Sequence, residues 1–263
     1  MKHTKIVATI GPASESKERL REMVKAGMNV VRLNFSHGEY EWHESIINRV
    51  RELSEELQMP IAILADIQGP RIRTRVAEPF RVSTGEHVFA SDSAHEGEVP
   101  DLHGHLFFLD QPEIVRDIEV DHGVLVEDGT LQFRVMKKEG ALLELEAMND
   151  GEVKNRKGVN LPDSKLSLPV ITEKDRRDIR FVLDQRVDYV GMSFVGSADD
   201  VRSMRALFAE AEIPEELFPR VVVKIERKEA VKNLKEIIRE ADAVMVARGD
   251  LGIELPETKV AIL

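Results

Sequence analysis

Two segments late in this 263-residue chain put charge where apolar strands stop. Arg220-Val-Val-Val-Lys-Ile-Glu226 and Ala243-Val-Met-Val-Ala-Arg-Gly-Asp250-Leu-Gly252 each begin as an apolar, β-branched run and end in ionisable residues. Such runs are expected of strands covered on both faces, as in a parallel sheet. Strand side chains alternate, so Lys224 and Glu226 project to one side where the apolar run ends. The carboxyl ends of parallel strands are where α/β folds keep their chemistry. A lysine, two carboxylates and a glycine that admits a ligand to the backbone suit a metal-assisted site for an anion. A Lys224–Glu226 ion pair capping one strand is the plainer reading of the first segment alone; the second segment makes it less attractive.

Two earlier segments repeat the pattern. In Val31-Arg-Leu-Asn-Phe-Ser-His-Gly38, Arg32, Asn34 and Ser36 alternate along an extended chain and share a side. A guanidinium beside neutral oxygen carriers suits a phosphate and a cation at close quarters, although a polar strand end leading into a helix cap fits equally well. In Ala65-Asp-Ile-Gln-Gly-Pro-Arg-Ile-Arg-Thr74, Asp66 closes a strand, and Arg71 and Arg73 follow a Gly-Pro break. Solvated arginines at a hinge are the alternative there.

The elements that must position these residues alternate strand and helix. Strands are predicted at Lys5–Ile10, Met28–Phe35, Pro60–Asp66, Asp188–Val195, Arg220–Glu226 and Ala243–Ala247. Helices are predicted at Ser16–Ala26, Tyr40–Leu57, from Thr172 with a capping box to Asp175, at Asp199–Ala211 and at Glu229–Ala241. On the second of these, Trp42, Ile46, Ile47, Val50 and Leu53 form the apolar face. From Thr74 to Leu168 the alternation gives way to short β-rich runs at His87–Ala90, Leu106–Leu109, Val124–Val126, Leu131–Met136 and Ala141–Ala147, with Lys137–Gly140 as a hairpin turn. The division expected is a barrel domain at 1–73 and 169–263, interrupted by an inserted all-β domain at 74–168. The fold class is α/β: about six βα units of a (β/α)8-type barrel plus a β module. The chain stops at Leu263, where a sixth crossover helix should be starting.

Composition narrows the function classes. A net charge of -11 argues against nucleic acid and anionic membranes as main partners, while leaving room for a locally basic pocket. Hydrophobic residues at 42% and charged residues at 32% describe a globular protein. There are no cysteines, hence no disulfides or thiolate metal sites, and neither a membrane span nor a signal peptide is apparent. A cytoplasmic protein is expected.

Taken together and in order, the segments resemble the pyruvate kinase family. The resemblance is carried by Thr4–Ser14, Met28–Gly38, Gly69–Thr74, Lys157-Gly-Val-Asn-Leu-Pro162, Ile171–Asp175, Val223–Glu226 and Val246–Gly252, collinear along the whole chain. It covers the family's first half or so. It implies transfer of the phosphoryl group of phosphoenolpyruvate to ADP, giving pyruvate and ATP. On that resemblance Lys224, Arg32 and Arg73 would be catalytic, and Arg32, Ser193, Gly249 and Asp250 would meet the substrate. Arg73, Lys157, His37, Pro12 and Asn34 would lie near the nucleotide. Glu226 and Asp250 would hold Mg²⁺ or Mn²⁺, and Asn34, Ser36 and Asp66 a monovalent cation. The β module would be the family's mobile lid, with Asp128 on its closing face.

The chain departs from the family pattern at four points. Ile67 stands where a threonine usually completes the monovalent site, and Arg71 where an acidic residue is usual, so K⁺ is expected to be dispensable. Gly196 replaces a common basic residue, and the strand that would carry a threonine near the protonation step lies beyond Leu263. The alternative is therefore a non-catalytic fragment or split-enzyme half completed by another chain, with homo-oligomerisation the other expected association.

Overall fold

The computed structural model describes residues 4–100 and 102–262 and divides into two compact units. The first runs to Gly69 and takes in Val170–Ile225 and Glu229–Val246; the second holds Pro70–Pro169, Glu226–Lys228 and the stretch from Ala247.

The first unit is an open parallel sheet of six strands with helical crossovers, the partial (β/α)8-type architecture. Its strands are β1 (Ile6–Thr9), β2 (Met28–Asn34), β3 (Ala62–Asp66), β13 (Tyr189–Met192), β14 (Arg220–Ile225) and β15 (Ala243–Val246), paired in that order. Local chemistry fixes the crossovers. Helix α1 (Lys17–Ala26) starts at Ser16, whose hydroxyl accepts from the Arg19 amide, and ends at Gly27, whose φ of 113° lets its N–H return to Met23 and Val24. Helix α2 (Tyr40–Leu57) buries His43, Ile46, Ile47, Val50 and Leu53; Trp42, expected on that face, is only partly buried against the same core. Helix α3 (Glu173–Asp184) carries the expected Thr172–Asp175 capping box, and α4 (Ala198–Ala209) a second one between Ser197 and Asp200.

In this unit three expectations need correcting. The single helix at Glu229–Ala241 is two, α5 (Lys228–Lys232) and α6 (Leu234–Glu240), separated at Asn233, whose side chain donates to the Gly196 carbonyl. The strand at Asp188–Val195 ends at Met192, before Phe194 adopts a φ of 59°. The strand expected at Ala243–Ala247 runs over Ala243–Val246 and is largely exposed rather than covered on both faces; like β1 it is an edge strand of the sheet.

The second unit is a closed seven-stranded β-barrel with a two-stranded ribbon beside it. Its strands are β4 (Ile72–Arg75), β5 (Phe80–Val82), β6 (His87–Asp92), β7 (Leu106–Leu109), β8 (Gly123–Val126), β9 (Leu131–Glu139), β10 (Leu142–Ala147), β11 (Gly151–Val153) and β12 (Gly158–Asn160). Alternation fills the barrel: Leu131, Phe133 and Val135 of β9 point inward against Phe107, Leu143 and Leu145. The hairpin between β9 and β10 is tighter than expected. Pairing runs to Glu139 and Leu142, and Gly140, at a φ of 59°, supplies the turn. The same unit contains α7 (Arg248–Glu254) and α8 (Glu257–Val260).

Buried Thr74 ties the turn ahead of β12 to β4. Its hydroxyl donates to the Lys154 carbonyl at 2.6 Å and accepts from the Lys157 amide at 2.9 Å. Thr74→Val keeps the shape and removes both bonds, leaving two backbone groups unsatisfied. Denaturant unfolding of this variant is expected to show a loss of about 1–3 kcal/mol, and an unchanged midpoint would disprove the role given to the hydroxyl.

Candidate active site

In the first unit, four candidate residues meet at the carboxyl ends of four adjacent strands: Arg32 on β2, Asp66 closing β3, Ser193 just past β13 and Lys224 near the end of β14. Their register follows from parallel pairing, which sets Asn34 beside Asp66 and Gly191 on the other side of Asp66. Asp66 is buried and receives both cations. Arg32 donates to its Oδ2 from Nε at 2.7 Å and from a terminal nitrogen, while the other terminal nitrogen reaches Thr9 Oγ1 at 2.8 Å. The Lys224 ammonium, 9% exposed, lies 3.4 Å from Asp66 Oδ1 and donates to Ser193 Oγ at 2.8 Å. Ser193 in turn donates to the Ile67 carbonyl at 2.8 Å.

Two glycines make room for this cluster. A Cβ on Gly191 would stand 3.0 Å from Asp66 Oδ1, and one on Gly69, at a φ of 71°, would meet Phe194 at 2.9 Å. The Gly69 amide donates to Asp175, the residue that also closes the capping box of α3. Gly191 and Thr9 were not singled out from the sequence, and Asp175 was expected only as part of a helix cap. The signal for Gly191 was present, since a glycine inside a strand pattern marks close approach of another group.

Asn34 closes β2, and Ser36 and His37 lie on the loop after it. The Asn34 carbonyl oxygens bind it on both levels: the side-chain Oδ1 accepts from the Ser36 amide at 3.1 Å and the backbone oxygen from the His37 amide at 3.2 Å. Ser36 is half-buried and His37 exposed. Lys174 of α3 donates to the Phe35 carbonyl at 2.7 Å and to Asp178 at 2.6 Å, and the Tyr40 hydroxyl donates to the same carboxylate at 2.8 Å. Pro12 sits exposed in the turn after β1, where Ser14 bonds back to Gly11. Ile67 is buried and offers no side-chain oxygen.

The second unit carries the other candidates. Arg71, Asp128, Arg248, Gly249 and Asp250 line a cavity of about 840 Å³. Gly249 and Asp250 belong to the first turn of α7, and Glu226, just past β14, is buried. Arg73 on β4 pairs with Gly158, beside Lys157. The Lys157 ammonium is held by Glu127 at 2.6 Å, a contact that keeps the Glu127 carboxyl below its ordinary pKa. Glu127, Asp128 and Gly129 have consecutive φ values of 52°, 57° and 78°, a rare left-handed run that fixes the hairpin between β8 and β9.

Comparison with known proteins places the whole chain in one family. The family model described as the pyruvate kinase barrel domain matches residues 1–263. Pyruvate kinases of Staphylococcus aureus strains MRSA252, USA300 and NCTC 8325 are each 40% identical across 100% of this chain, which spans 44% of their length.

The Tyr40–Asp178 bond is accessible to titration. Partial burial and the hydrogen bond to Asp178 push the Tyr40 phenol up to about 12. The folded state then keeps this proton while the unfolded chain gives it up near 10, so stability declines as pH rises through that interval. With two tyrosines in the chain, absorbance at alkaline pH is expected to resolve one ionisation near 12, moving toward 10 in Asp178→Asn. An unaltered titration in that variant would refute the assignment.

Proposed function

This chain belongs to the pyruvate kinase family, and we propose that its strand-end residues serve transfer of the phosphoryl group of phosphoenolpyruvate to ADP. The observation that carries this reading is the Arg32–Asp66–Lys224 cluster at the ends of neighbouring parallel strands. Phosphoryl transfer asks the protein for positioning and for charge placed against the equatorial oxygens. In the proposed reaction the bond from phosphorus to the enol oxygen breaks as one to a β-phosphate oxygen of ADP forms, and the enolate takes a proton on carbon to give pyruvate. Arg32 grips the phosphate and Lys224, held in place by Ser193, meets the charge of the group in transit. The Gly249 backbone receives the substrate carboxylate, and Arg73, Lys157, His37, Pro12 and Asn34 serve the nucleotide. Cytoplasmic residence is part of the same reading; among the described residues no helix is long and apolar enough to cross a membrane.

Glu226 and Asp250 would hold Mg²⁺ or Mn²⁺. One is a buried carboxylate at a strand end and the other borders a polar cavity in the same unit, a donor set of oxygen alone that suits a hard cation keeping several waters. When bound, the ion supplies charge neutralisation to the phosphoryl group. Mn²⁺ titration followed by electron paramagnetic resonance is expected to show one site, strengthened by phosphoenolpyruvate and lost in Glu226→Gln and in Asp250→Asn. Binding unchanged in both variants would overturn the reading.

The monovalent cation is a different case. Asp66 Oδ1 has lone pairs to offer, yet the Lys224 ammonium already faces it and Arg32 takes the other oxygen. Ile67 is buried and withholds a ligand, and Arg71 carries a permanent charge at a position where the family resemblance expects an acid. Turnover is expected to be nearly equal in K⁺ and in a bulky organic cation at the same ionic strength, and strong activation by K⁺ would contradict this.

A further inference from the structure

His43 is a buried titratable group that the proposed chemistry does not use. It lies in the first turn of α2, 1% exposed, with its ring stacked on Phe35 at 4.1 Å and edge-on to Trp42 at 5.0 Å. Its Nε2 is 3.0 Å from the His37 carbonyl oxygen, which only accepts, so the ring proton sits on Nε2. Nδ1 is then a bare acceptor, and it is one of the buried side-chain atoms with no hydrogen-bond partner among the described residues. Burial also drives the ring toward its neutral form. The charged groups facing it are Asp178, which favours the proton, and Lys174, which opposes it.

An apolar ring of this shape would fill the space without an unsatisfied nitrogen. What the imidazole adds is one donor, aimed at the loop that carries Ser36 and His37. The chain passes so close over the ring that only glycine fits at position 38: its φ is 83°, and a Cβ there would lie 3.2 Å from both His43 Nε2 and the Trp42 ring. From the other side Lys174 holds the Phe35 carbonyl. The carbonyls on either side of Ser36, those of Phe35 and His37, are thus both held.

We infer that His43 is a positioning residue: a neutral, Nε2-protonated imidazole whose single hydrogen bond fixes the loop that presents Ser36 and His37. Its consequence for nucleotide or cation binding rests on the function proposed above.

The test compares His43→Phe, which keeps the stacking and removes both the donor and the orphaned acceptor, with His43→Gln, which keeps a donor. In His43→Phe, amide exchange at Ser36 and His37 is expected to speed up about tenfold while the thermal midpoint holds or rises. His43→Gln should recover much of the protection. Nitrogen-15 spectra of the parent protein at neutral pH should give the Nε2–H pattern for His43. Unchanged exchange in His43→Phe, exchange that rises across α2 in step with lost stability, or an Nδ1–H or doubly protonated ring would each overturn the inference. Calorimetry with magnesium ADP separates the two claims. Exchange that speeds up while affinity is constant would uphold the positioning role and remove the loop from the nucleotide site.

Discussion

One buried carboxylate organises the first unit. Asp66 has no route to solvent, and a lone ionised carboxylate at such a depth is costly enough that it must be matched by opposite charge. Arg32 and Lys224 provide that match from strands on either side of β3, with β13 between β3 and β14. At 3.4 Å and an effective dielectric near 20, the Lys224–Asp66 attraction is about 5 kcal/mol before desolvation is subtracted. The pairing demands register: a one-residue slip of β3 would turn Asp66 to the opposite face and strand both cations. It also demands space, which the bare Cα of Gly191 provides. The residues proposed for phosphoryl transfer are therefore the ones whose mutual compensation lets four polar side chains crowd one end of an otherwise apolar sheet.

The second unit solves its own problem by other means. A barrel of short strands closes its edges, so stability comes from an inward set of Phe, Leu and Val side chains, and polar groups are free to shape its turns. Thr74 and Glu127 show the two ways this is done. One fixes the backbone ahead of β12 through a buried hydroxyl, and the other holds the Lys157 side chain through a half-buried ion pair.

Much of this was legible in the amino-acid sequence, for physical reasons that also explain the remainder. Apolar runs ending in Arg32, Asp66 and Lys224 revealed strands and their chemically active ends because burial on both faces leaves an unbroken hydrophobic signal. That signal does not tell a central strand from an outer one, and Val244 and Val246 proved exposed for that reason. The strands β4, β5, β11 and β12 span three or four residues with mixed polarity, too few for a period of two to stand out. Thr172 and Asp175 announced a helix start, whereas the same chemistry at Ser197 and Asp200, just after Gly196, was not picked out. His43 falls in step with Ile46, Ile47 and Val50 on the buried face of α2, yet sequence gives no hint of the carbonyl it meets. Contacts of that kind depend on a chain reversal at Gly38, and only the fold shows them.

Asp66 and Lys224 thus stabilise each other across the sheet. A double-mutant cycle with Asp66→Asn, Lys224→Met and the combined variant, followed by denaturant unfolding, measures this directly. Each single change is expected to be costly, and the pair to cost less than the sum by at least about 1 kcal/mol, since removing one ion leaves the other buried alone. Additive effects, equal to within about 0.5 kcal/mol, would contradict it.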